Sequence, residues 1–176
     1  MNILIYGAGA IGSHIAYCMH SAGHTVYVLA RGEHFSQMKK KGLHIKLFDN
    51  QRLKDKKVII ESSRFFILSS LEQIETKVFD YIFITVKLSS YMPENIKGLQ
   101  PYMGEDTAVI PPCTKLPFWW FYNFSGNLNS KYNNLDFDPD LSQYFIRENI
   151  IGMTMWLSAV VEGPGEVTLR HTQRGY

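Results

Sequence analysis

Six residues near the N-terminus, Gly7-Ala8-Gly9-Ala10-Ile11-Gly12, have the types and spacing of a phosphate cradle. They follow an apolar run, Asn2 to Tyr6, that reads as a buried strand. Ile11, Ile15, Ala16, Met19 and Ala22 then recur at helical spacing, and Gly23 closes that helix. In a GxGxxG turn so placed, the first glycine allows the tight turn and the second lets the backbone approach a pyrophosphate. The third permits close packing of helix on strand, while the helix N-terminus offers amide N–H groups and positive dipole to phosphate oxygens. Gly7, Ala8, Gly9, Ala10, Ile11 and Gly12 are therefore candidate contacts to a dinucleotide.

The end of the next strand, Thr25 to Leu29, chooses between cofactors. NAD sites usually carry Asp or Glu there, accepting from the ribose hydroxyls. Here the strand runs into Ala30-Arg31-Gly32, and the planar fork of Arg31 suits a 2′-phosphate that an acid would repel. Glu33 stands close by, and a merely solvent-exposed Arg31 is the competing reading. NADP(H) is the expected cofactor.

Strand, glycine turn, helix and strand within about thirty residues make a βαβ unit with parallel strands. Glu33 to Lys41 reads as a short helix stopped by Gly42. Leu43 to Phe48 and Lys57 to Glu61 read as strands around Asp49-Asn50-Gln51, with Arg64 to Leu68 a third, together a hairpin excursion. Asp80 to Val86 is a continuous apolar strand of the kind buried in a parallel sheet. Tyr91 to Met103 reads as helix and Thr107 to Ile110 as strand. Pro117 to Phe124 is densely aromatic, and Asn127 to Asp140 reads as an exposed loop, an insertion near residues 125–145. Ile150 to Val161 and Glu166 to Arg170 read as strands around the turn Glu162-Gly163-Pro164-Gly165. The expected fold is α/β, a Rossmann-type NAD(P)-binding domain over residues 1–176 with a mainly parallel sheet and β additions at its C-terminal end.

Composition narrows the partners. The chain has 176 residues, 45% hydrophobic and 19% charged, which fits one globular domain. A net charge of +2 with no basic stripe gives no footprint for nucleic acid. Lys39-Lys40-Lys41 reads as a solvated helix end that suits the helix dipole. No apolar stretch reaches membrane-spanning length, and Met1-Asn2 leads straight into the first strand without a signal peptide. Two cysteines, Cys18 and Cys113, show no framework spacing, so a reduced, cytoplasmic setting is expected. The six histidines are scattered without metal-ligand spacing.

Met1 through Gly42, with Val-Leu-Ala-Arg-Gly-Glu-His after the glycine turn, resembles the start of the ketopantoate reductases, or 2-dehydropantoate 2-reductases. Thr85-Val86-Lys87, and Gly163-Pro164-Gly165-Glu166-Val167 followed by Arg170-His171, resemble their later landmarks. The resemblance implies NADPH-dependent reduction of 2-dehydropantoate, or a related 2-keto acid, in pantothenate and coenzyme A synthesis. It implies pyrophosphate at Gly7–Gly12, the 2′-phosphate at Arg31, and a lysine, Lys87, touching cofactor and substrate. Ala159 matches a position whose backbone lies near the cofactor.

Two departures stand out. Where the family carries an asparagine that touches cofactor and substrate, this chain runs Pro111-Pro112-Cys113-Thr114. Cys113 falls at that place, and a thiol is a poor substitute for an amide. A nucleophilic Cys113 lacks an evident histidine partner, so a free buried cysteine is the simpler reading. Trp119-Trp120-Phe121-Tyr122 is similar to a subgroup of relatives, which leaves the substrate open. In the family a helical domain follows, carrying the catalytic lysine, and this chain ends at Tyr176, about where that domain begins. The expectation is a cofactor domain without its acid catalyst, with an uncovered apolar face that favours a homodimer. The alternative is a non-catalytic NADP(H)-binding or sensor module.

Overall fold

The N-terminal apolar run forms β1 (Asn2–Tyr6), the middle strand of a five-stranded sheet. The computed structural model describes residues 1–49, 52–58, 63–76, 78–113, 117–119, 139–155 and 157–170. After β1 come α1 (Ala10–Ser21), β2 (Thr25–Leu29) and α2 (Gly32–Lys41). β2 lies parallel to β1, in register from Asn2↔Thr25 to Tyr6↔Leu29. Then β3 (Leu43–Asp49) and β4 (Arg52–Val58) pair antiparallel, and β5 (Phe65–Leu68) returns to lie parallel to β2. The chain crosses to the other side of β1 for β6 (Tyr81–Ile84), passes through α3 (Pro93–Lys97), and adds β7 (Ala108–Ile110). The first sheet thus has the order β5-β2-β1-β6-β7, all parallel, as a Rossmann-type fold requires.

A second sheet stands beside it. β8 (Ser158–Gly163) and β9 (Glu166–Arg170) form a hairpin whose β9 runs parallel to β3, giving the order β4-β3-β9-β8. Its turn is the pair Pro164–Gly165, with Gly165 at φ +79. That is the positive φ required at the second central position of a type II turn, with proline presetting the first.

Period-two alternation along β1 divides the core. Ile3 and Ile5 point into one cluster with Val26, Val28, Ile45, Val167 and residues of α1 and α2. Leu4 and Tyr6 point into the other, with Ile82, Ile84, Leu99 and Leu141. Both faces of β1 are covered, which explains its unbroken apolar sequence.

Several boundaries differ from expectation for identifiable reasons. The second hairpin strand is Arg52–Val58, earlier than the expected start at Lys57, and residues 59–61 of the expected Lys57–Glu61 lie outside the described residues. It pairs with β3 from Leu43↔Val58 to Asp49↔Arg52 and stands at the edge of its sheet. β5 belongs to the parallel sheet and not to the hairpin excursion. The helix expected over Tyr91–Met103 shrinks to Pro93–Lys97 plus a 3-10 turn at Gln100–Tyr102. Pro93 sets its start, and Pro101 lacks the N–H that a continuing helix needs. The strand expected over Ile150–Val161 is reduced to Ser158–Gly163. Ile150 and Met153 make only isolated bridges, to Val109 and Pro112 at the end of the first sheet. That stretch crosses between sheets, so no partner strand accompanies it.

Most of the loop expected over Asn127–Asp140 lies outside the described residues, and the segment that follows it packs inward. Pro139–Tyr144 is a 3-10 helix whose Leu141 is fully buried, and Phe145 stacks on Phe118 with centroids 5.1 Å apart.

Candidate functional site

Strand order locates the site. From β1 the chain goes to β2 and β5 on one side, then to β6 and β7 on the other. The crevice outside the carboxyl ends of β1 and β6 is the switch point where open α/β sheets take ligands. Gly7–Gly12 follow β1, and Thr85–Lys87 follow β6, so both motifs arrive at this crevice.

The three glycines differ in their surroundings. Gly7 sits at φ +117, where other residues are strained, and a Cβ there would lie 2.9 Å from Val86 Cγ1. Gly12 faces inward: a Cβ would run into the Gly7 carbonyl and the Thr85 hydroxyl. That hydroxyl donates to the Gly7 carbonyl at 2.6 Å, which locks the end of β6 to the turn. Gly9 is the opposite case, since a Cβ would meet nothing within 4 Å. Gly9 caps α1 with extended backbone and no side-chain cap, and the first turn of α1 carries no acid. The first amides of a helix have no intrahelical acceptor, so this end favours an anion. Ala8 is buried, its N–H donating to the Leu29 carbonyl at 2.9 Å.

Two cavities, of about 350 and 500 Å³, share Gly9, Val86 and Val161 and so form one groove past the α1 N-terminus. Arg31 lines the first, together with Tyr6 and His34. Arg31 is exposed and caps α2 with extended backbone. The Tyr6 hydroxyl donates to the Asn95 carbonyl at 3.0 Å. Burial pushes the Tyr6 phenol up, and the Arg31 guanidinium beside it pulls partly back. Among the described residues no carboxylate lines this cavity; Glu33, two positions after Arg31, is not part of its wall.

The second cavity is lined by Ala10, Ile11, Lys87 and Cys113, with Met155 and Leu157 as apolar wall. Lys87 is exposed and caps a 3-10 turn at Leu88–Ser90. Cys113 is half-buried, with its backbone N–H donating to the Met153 carbonyl at 2.9 Å. Beneath this end, Tyr91 donates to the Ile84 carbonyl at 2.6 Å, and burial pushes its phenol far up, so it stays a donor. Tyr91→Phe is expected to lower stability by about 1–2 kcal/mol, because a buried carbonyl loses its partner. Urea unfolding reads this directly, and an unchanged midpoint would remove Tyr91 as an anchor of the segment.

The groove therefore brings together Gly7, Ala8, Gly9, Ala10, Ile11, Arg31, Lys87 and Cys113, with Gly12 packed behind them. Ala159 is not brought to either cavity. It pairs with Leu169 in β8 and packs on the core, whereas Val161, two residues along, lines both cavities. His34, Tyr6 and Val161 are among the lining residues that sequence reading missed, as are Met155 and Leu157. Val161 was findable from the period of the strand; His34 and Tyr6 carried no signal apart from their distance to Arg31 and Gly7. Among the described residues no group of three or more His, Cys, Asp or Glu stands together as a metal site, and no helix is long and apolar enough to cross a membrane.

The comparisons with known proteins agree with this fold. The family model described as Ketopantoate reductase PanE/ApbA matches residues 3–112. A 2-dehydropantoate 2-reductase of Mesorhizobium japonicum is 27% identical over 175 residues, covering 98% of this chain and 49% of its own length. The crystal structure of a putative 2-dehydropantoate 2-reductase from Enterococcus faecalis has a TM-score of 0.67 at 25% identity, covering 96% of this chain and 45% of that one. A D-mandelate dehydrogenase solved with NADH and anilino(oxo)acetate has a TM-score of 0.65 at 24% identity, again covering 96% and 45%. The chain spans about half the length of the curated relatives it matches.

Proposed function

The chain belongs to the ketopantoate reductase family, PanE/ApbA, and from that premise we propose that its groove holds NADP(H) for reduction of 2-dehydropantoate or a related 2-keto acid. The observation that carries this reading is Arg31. It lines a cavity next to Gly9, and among the described residues no carboxylate shares that wall. The residues fit the group: a Cβ at Gly9 would fill open space over the amides of α1, while Gly7 and Gly12 are closed by packing.

Each part of the chain then has a role. Gly7, Gly9 and the first turn of α1, with Ala10 and Ile11, receive the pyrophosphate through backbone N–H groups and helix dipole. Arg31 pairs with the 2′-phosphate. Lys87 Nζ holds the anionic substrate at the carboxyl end of β6, beside Cys113. Met155, Leu157 and Val161 keep water from the far wall. When bound, the nicotinamide supplies a hydride to the substrate carbonyl. Calorimetric titration is expected to show NADPH binding at least about tenfold more tightly than NADH. Equal affinities would overturn the reading.

Among the described residues, Lys87 and Cys113 are the only side chains with acid–base chemistry lining the second cavity. The family resemblance places the proton-donating lysine in a further domain. These 176 residues alone are therefore expected to bind NADPH but oxidise it very slowly with ketopantoate. Robust turnover would show that the acid lies within them. The second reading, a binding module without turnover, is favoured by Cys113. Its thiol stands where the family's asparagine amide both donates and accepts. A fusion carrying a relative's C-terminal half separates the two readings, since only a competent cofactor half regains turnover.

A further inference from the structure

His34 lies in the first turn of α2, three residues after Arg31, and lines the same cavity of about 350 Å³. Its Nδ1 accepts a hydrogen bond of 2.9 Å from the backbone N–H of Gly165. Gly165 is the positive-φ residue of the β8–β9 turn, and it sits close enough to α2 that a Cβ would lie 3.3 Å from Met38 N. The ring thus joins the second sheet to the helix that carries Arg31.

That bond decides the tautomer. An imidazole nitrogen that accepts is unprotonated, so the neutral ring carries its proton on Nε2. Nε2 is buried and has no hydrogen-bond partner. A buried donor left without a partner is destabilising, and a functional role such as contact with a ligand is one explanation for its retention. Arg31 lies on the same wall, which among the described residues has no acidic one, so the arriving ligand is an anion rich in acceptors. We propose that His34 Nε2–H is a second donor to the 2′-phosphate of bound NADP(H), beside Arg31 and oriented by Gly165. The proposal rests on the NADP(H) reading. Nε2 is closed off in the free chain, so the half-buried ring must turn toward the cavity as the ligand seats against Arg31.

Two isosteres separate ligand contact from structural staple. In His34→Asn the side-chain oxygen replaces Nδ1 and keeps the Gly165 bond, but no donor remains at the Nε2 place. In His34→Gln the amide NH2 replaces Nε2, and the acceptor for Gly165 is lost. Titration with NADPH, adenosine 2′,5′-bisphosphate and ADP should show His34→Asn weakening the first two about tenfold and ADP by less than about twofold, with an unchanged melting temperature. His34→Gln should bind within about threefold of the parent while melting at lower temperature.

Parental affinity in His34→Asn would overturn the proposal. An equal loss for ADP would overturn it too, by placing the donor on the adenosine. In the parent chain, the ¹⁵N resonance of His34 Nε2 should shift with the bisphosphate and not with ADP, a readout that survives any folding defect in the variants. A parent that binds no bisphosphate at all refutes the NADP(H) reading itself, a separate and earlier result.

Discussion

Arg31→Ala is expected to weaken NADPH binding about 30-fold and to leave NADH binding within about twofold. A hydrogen bond to a charged group is worth about 1.5–3 kcal/mol, and a guanidinium can make two to one phosphate. Arg31 is exposed, so screening by solvent holds the total near the low end, about 2 kcal/mol or 30-fold. The loss is specific because removal orphans no protein group: the Tyr6 hydroxyl keeps its bond to the Asn95 carbonyl. Arg31→Lys should fall between the two, since it keeps the charge and loses the fork. Fluorescence titration of both nucleotides with each variant measures this. A uniform loss for NADPH and NADH would mean that Arg31 supports the fold of the cavity and does not read the phosphate.

Gly9→Ala and Gly12→Ala should fail in opposite ways although both replace a motif glycine. At Gly12 the added methyl meets the Gly7 carbonyl and the Thr85 hydroxyl, which are already bonded to each other at 2.6 Å. Neither is the end of a flexible chain, so β1, α1 and β6 must move apart, at a cost of about 3 kcal/mol. Better helix propensity returns only about 1 kcal/mol. Gly12→Ala is therefore expected to lose about 2 kcal/mol of stability, read as a lower urea midpoint.

Gly9 has φ −67 and ψ −171, which alanine adopts, and open space where its Cβ would stand. Gly9→Ala should fold with stability within about 1 kcal/mol of the parent. It should also lose more than about tenfold in NADPH affinity, because the methyl occupies the pyrophosphate's approach. Unchanged binding in Gly9→Ala would move the ligand elsewhere in the groove. Unchanged stability in Gly12→Ala would deny the contact between α1 and β6.

Local patterns made the first half of this fold legible. The strand–glycine–helix–strand run from Asn2 to Leu29 was read correctly because its period and its turn residues agree, and the parallel pairing followed. Reading failed where an element owes its existence to a partner. The sequence of β4 is charged, and the strand stands only because β3 pairs with it. β5 looks like part of the hairpin until β2 claims it. The stretch from Ile150 is apolar enough for a strand, but it crosses between two sheets with no strand to pair.

By itself the sequence determined that glycines 7, 9 and 12 follow a buried strand, that Arg31 ends the next one, and that Lys87 follows another. These are local facts, fixed by spacing along one segment. Tertiary structure decided the rest: that the ends of β1 and β6 adjoin, that Gly9 opens on space while Gly12 does not, and that Val161 rather than Ala159 borders the groove. It also brought Gly165 to His34 across 131 positions of chain. Such pairings depend on strand order and sheet packing, which no short window of sequence contains.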